Sequence, residues 1–128
     1  MSKQILISGI SIGVLAVILG AFGAHGLKEL VSPENIATFE TGVRYQMYHG
    51  LFLLFLSQLG SISPKIVKIS YWLVVFGLIF FSGSIYGLAT NILTSFDFKT
   101  IAFITPIGGL LLIVAWVILL FGISSKEH

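Results

Sequence analysis

The chain has 128 residues, 56% of them hydrophobic and only 9% charged, with a mean hydropathy of +1.04. A soluble domain must cover its surface with polar groups, usually about a quarter of its residues charged, so this composition points to a lipid bilayer as the solvent. The absence of cysteine rules out disulfides, thiolate nucleophiles and Cys-ligated metals. The net charge of +2 comes from Lys and Arg scattered without a basic cluster, which argues against nucleic acid as a partner.

Four apolar stretches predict four spans, at about 5–24, 42–59, 69–89 and 103–123. Crossing a hydrocarbon core takes roughly 20 apolar residues as a helix, and helices satisfy their own backbone in lipid. The runs are continuous rather than alternating, which excludes a barrel. Lys3, the run after it and Ala21-Phe22-Gly23 could pass for a signal peptide; the stretch is read as a retained first span. That span carries a small-residue stripe, Gly9, Gly13, Ala16, Gly20 and Ala24, on one helical face. In lipid such stripes let backbones approach.

Ser32-Pro33-Glu34 reads as an N-cap, an N1 proline and a first-turn acid. From Pro33 the helix can run unbroken into span two, its first part a short interfacial helix along the membrane surface before the chain turns inward near Gly42. Span three contains Gly77, Gly83, Ser84 and Gly87, with Ser82 and Tyr86 placed to hydrogen-bond another helix. Span four carries Gly108, Ala115 and Gly122 at seven-residue intervals. Thr105-Pro106 is either the start of its helix, after a short piece over 101–104, or a kink within a longer one. These stripes predict a tight bundle that also self-associates.

Four spans put both termini and the middle loop on one side, with Lys3, Lys65, Lys68 and Lys126 against Glu127. Lys28, Arg44 and Lys99 fall on the other, with Glu29, Glu34, Glu40 and Asp97. The positive-inside rule then places both termini in the cytoplasm.

The most informative chemistry lies at the outward ends of spans one and two, at His25 and in Glu40, Arg44, Tyr45, Tyr48 and His49. On a helix Glu40 pairs with Arg44, Arg44 with Tyr48 and Tyr45 with His49, each one turn apart. His49 lies about 7 Å deeper than Arg44 from the helical rise. Ionisable groups at membrane depth pair or line a wet cavity. His25 would approach Arg44 or His49 only if spans one and two are neighbours, as their short connection suggests. An ion pair with aromatic belt residues would explain the same cluster structurally. No HExxH, metal-spaced His/carboxylate group, nucleophile–base set or phosphate loop occurs; no cofactor, metal or catalytic residue is assigned, and His128 is terminal.

Gly20-Ala21-Phe22-Gly23-Ala24-His25-Gly26-Leu27 resembles the signature of the small YgdD/YwdK-like membrane proteins, grouped as domain of unknown function 423. Residues Thr41 to Gly50 look like a second motif of that family, and Gly83-Ser84-Ile85-Tyr86 and Ile104 to Gly109 resemble a third and fourth. The likeness runs in order over essentially the whole chain. It implies a four-span protein of the bacterial inner membrane, implies no activity, and draws attention to His25, Arg44, Tyr45, Tyr48 and His49.

The expected fold is therefore an all-α integral membrane bundle of four transmembrane helices in one domain, 1–128, with a short interfacial helix between spans one and two. The expected function is non-enzymatic: a membrane lipid, small amphiphile or partner membrane protein held by His25, Glu40, Arg44, Tyr45, Tyr48 and His49. The alternative is an oligomeric channel or transporter subunit with a proton- or solute-linked path through His25 and His49.

Overall fold

The computed structural model describes residues 1–125; Lys126, Glu127 and His128, used above for orientation, lie outside the described residues. Those described residues form helices and connecting turns, with no strand. Helix α1 runs over Ser2–Ala24 and ends at His25. A 3₁₀ turn, Leu27–Glu29, leads to α2, Pro33–Leu56. The Ser32 hydroxyl accepts from the Asn35 N–H at 3.2 Å, with Pro33 and Glu34 in the first turn, as the spacing predicts. Helix α2 runs through Gly42 unbroken, the continuous course from Pro33 that the sequence allows, so the residues before Gly42 are the first turns of α2.

The next helix starts five residues before the expected 69, by the same device. Ser63 caps, accepting from the Lys65 N–H, and Pro64 takes the first position. Helix α3 (Pro64–Leu78), a π-helical turn (Ile79–Gly83) and α4 (Ser84–Ala89) follow end to end. Two 3₁₀ turns, Asn91–Leu93 and Phe98–Ile101, precede α5, Ile104–Ser124. Pro106 lies in the first turn of α5, where its missing N–H removes no helical bond, so it marks a helix start.

Glycines set the helix pairing. A side chain at Gly9 would stand 2.9 Å from the Gly50 carbonyl, and one at Gly20 or Gly23 would meet Val43 or Phe39. The stripe on α1 therefore faces α2, antiparallel. Likewise Gly108 meets the Phe80–Phe81 backbone, and Gly122 meets Ile66, which seats α5 antiparallel on α3. Two apolar clusters result. One gathers Ile5, Phe52, Leu53, Leu56, Val74, Leu112 and Leu119 at the end holding the starts of α1 and α3. The other gathers Leu27, Phe39 and Ala89 at the opposite end.

The outside is as apolar as the inside. Ile10, Val14, Val17, Ile18, Leu110, Leu120 and Phe121 are all exposed, where a water-facing helix would carry charge. Ser2–Glu29, Pro64–Ala89 and Ile104–Ser124 are long and apolar enough to cross a membrane, by length and composition. Helix α2 is about 36 Å long by its rise, but carries Glu40, Arg44, Gln46 and His49.

Candidate ligand-binding groove

The polar side chains of α2 fall on two ridges. Gly42, Gln46, Gly50 and Leu53 look inward. The Gln46 amide donates to the Ile12 carbonyl of α1 at 3.0 Å and accepts from the Tyr86 hydroxyl of α4 at 2.5 Å. Beside it, the Ser82 hydroxyl donates to the Gly42 carbonyl at 2.9 Å. Ser84, two residues on, meets the Thr105 hydroxyl of α5. The π turn carries one of these serines and immediately precedes the other, so this short stretch reaches two different helices. Among the described residues, no buried side-chain nitrogen or oxygen lacks a partner.

The second ridge, Thr41, Tyr45 and His49, recurs every four residues and faces a groove of about 400 Å³ between α2 and α5. Its remaining walls are Phe81 of the π turn and Gly109, Leu112, Ile113 and Trp116 of α5. His49 is buried at the inner end. The Trp116 indole N–H donates to His49 Nε2 at 3.0 Å, so Nδ1 carries the proton and donates to the Tyr45 carbonyl at 2.7 Å. Both ring nitrogens are thus engaged in the neutral form; an imidazolium would set two donors against each other at Trp116. The Tyr45 ring packs on Phe81, with centroids 5.1 Å apart.

Arg44 is exposed, and its Nη2 donates to the Thr41 hydroxyl at 3.1 Å, which holds the guanidinium on the rim of the groove. The expected Glu40 contact is replaced by this one: Glu40 borders a separate hollow with Lys28, Ile36 and Gly23. Tyr48 is exposed and packs edge-on against Tyr45 at 5.4 Å. His25, exposed at the end of α1, is not brought to this site. Gly9 stands against Gly50, beside His49, and His25 lies 16 residues further along the chain, so roughly 20 Å of helical rise separates the two histidines.

Tyr45, His49 and Arg44 thus share one neighbourhood, as their spacing implies, whereas Thr41, Phe81 and Trp116 of the groove and Gln46 of the inward ridge were not singled out by the sequence. Trp116 sits well inside an apolar run rather than at its end, and Gln46 is an amide in mid-helix; both positions were available as signals. The groove offers apolar walls, hydroxyls and one cation. Among the described residues no group of three or more His, Cys, Asp or Glu side chains is arranged to hold a metal ion.

Residues 19–109 match the family model described as "Protein of unknown function (DUF423)". The chain belongs to the DUF423 family. A UPF0382 membrane protein of Staphylococcus saprophyticus is 42% identical over 94% of this chain and 96% of its own length. The UPF0382 membrane protein YwdK of Bacillus subtilis is 37% identical over 91% of this chain and 93% of its own. A UPF0382 membrane protein of Haemophilus influenzae is 36% identical over 86% and 85% respectively. No solved structure matches the chain. This DUF423 protein is thus a helical membrane protein, and the matched region contains the whole Thr41–His49 ridge.

Proposed function

We propose that this DUF423 protein is a non-enzymatic, four-span protein of the bacterial cytoplasmic membrane that holds a lipid or small amphiphile in the α2–α5 groove. The observation that carries the reading is the pairing of an apolar trough with a cation on its rim. Phe81, Leu112, Ile113 and Trp116 suit an acyl chain or apolar ring, while Thr41, Tyr45 and Arg44 suit an anionic or hydrogen-bonding head. Glu40 and His25 would border the headgroup region, and Tyr48 would mark its depth.

Helix α2 is the fourth span in this reading. Its length and its antiparallel seat on α1 support that, as does the inward placement of Gln46, which hides its amide from lipid. The first turns of α2 would lie in the interface. Lys3, Lys65 and Lys68 gather at one end of the bundle, which favours that end, with both termini, in the cytoplasm. The bacterial origin of the relatives supports a cytoplasmic-membrane location.

The test is native mass spectrometry from lipid nanodiscs of the wild type and Arg44→Ala. A retained lipid or small molecule that is lost in the variant supports the proposal and names the ligand class. The same bare species from both proteins refutes it and leaves the groove as a seat for a partner helix or a second copy. The separation of His25 from His49 gives no support to a relay between them.

A further inference from the structure

A second groove lies on the other face of α5, formed by Lys68, Ile69, Trp72, Leu73, Phe76 and Phe80 with Leu111 across from them. Its volume is about 520 Å³. Apart from Lys68 at its mouth, every lining side chain is apolar or aromatic. The α3 residues recur along one helical face, and the Lys68–Phe80 interval spans roughly 18 Å of rise. That is close to one leaflet, half of a hydrocarbon core about 30 Å thick.

The charge at the mouth runs against what a helix start prefers. The first turn of α3 has no acidic residue and carries Lys65, with Lys68 one turn on. Cations there oppose the positive end of the helix dipole, so they do not serve the helix itself. No Asp or Glu occurs between Glu40 and Asp97. Positive potential from two lysines and a helix N-terminus is thus concentrated at the head of a one-leaflet apolar trough.

We propose that this groove binds a glycerophospholipid with an anionic headgroup, its phosphate at Lys65 and Lys68 and one acyl chain lying along Trp72, Phe76 and Phe80. The site shares no residue with the groove beside His49 and stands or falls independently of the function proposed above.

The chain's two tryptophans allow a direct test, because one borders each groove. The Trp116→Phe protein, reconstituted in phosphatidylcholine vesicles, leaves Trp72 as the single tryptophan reporter. Brominated phosphatidylglycerol should quench Trp72 at lower mole fraction than brominated phosphatidylcholine, with a preference of about fivefold or more, as expected for lysines near a lipid surface. Lys65→Gln with Lys68→Gln should abolish the preference, while the paired arginine variants should keep it. Equal quenching by the two lipids overturns the proposal, as does a preference that survives loss of both lysines.

Discussion

Gly83 and Gly108 are both small residues in helical spans, and the structure gives them opposite costs. A Cβ at Gly83 would meet nothing within 4 Å, whereas one at Gly108 would stand 2.7 Å from the Phe80 carbonyl carbon, 2.8 Å from the Gly77 oxygen and closer still to the Phe81 nitrogen. Those atoms belong to the backbone around the π turn and cannot swing aside. Gly108→Ala must push α5 off α3 by several tenths of an ångström, an overpacking that costs about 1–3 kcal/mol or more. The helix-propensity gain of Gly to Ala offsets up to about 1 kcal/mol. A net loss of about 1–2 kcal/mol is expected for Gly108→Ala, against no loss, or a gain of up to about 1 kcal/mol, for Gly83→Ala. The assay is reversible unfolding of each variant in mixed micelles, followed by far-UV circular dichroism and by Trp fluorescence. The next residue, Gly109, lines the groove that holds Trp116, so the Gly108 variant should also change Trp116 emission. If Gly108→Ala is as stable as the wild type, or Gly83→Ala is the worse of the two, the close α3–α5 approach described here is wrong.

Gln46→Leu removes the bonds to Ile12 and Tyr86 and leaves a hydroxyl without its acceptor; a loss of about 1–2 kcal/mol is expected in the same unfolding assay, the scale of interhelical hydrogen bonds in membranes. Trp116→Phe frees His49 Nε2 while Nδ1 keeps its carbonyl; nitrogen NMR of labelled histidine should show the Nε2 resonance move and the Nδ1–H tautomer persist, and an unchanged Nε2 signal would count against the indole contact. The chain has no cysteine, so single cysteines report topology cleanly. With four spans and cytoplasmic termini, Ser2→Cys and Ser61→Cys should resist a membrane-impermeant maleimide in intact cells, and Ser95→Cys should react. Labelling of Ser61→Cys but not Ser2→Cys would mean that α2 does not cross.

Membrane residence followed from composition, and helix class from the unbroken apolar runs. When apolar residues exceed what an interior can hold and charges are few, only lipid can solvate the surface; helices and closed barrels alone satisfy their backbone there, and continuous rather than alternating apolar runs select helices. The start of α2 was legible because Ser32-Pro33-Glu34 is a local device whose geometry needs no distant partner. The related Ser-Pro start at Ser63-Pro64 is masked in the sequence, because it has no first-turn acid and Lys65 and Lys68 give the stretch the character of a loop.

What sequence could not decide was which side of each helix meets which neighbour. Gly9 and Gly13 form one motif, yet a side chain at Gly9 would strike the Gly50 carbonyl and one at Gly13 would only touch Met47 at 3.9 Å. Arg44 turned to Thr41 instead of Glu40, and His49 found Trp116, 67 residues away. Local spacing sets which side chains share a face, because helical geometry is the same everywhere. Which face becomes a groove depends on how closely two helices approach, and that is fixed by backbone contacts at a few glycines and by one π turn that re-aims the residues after it.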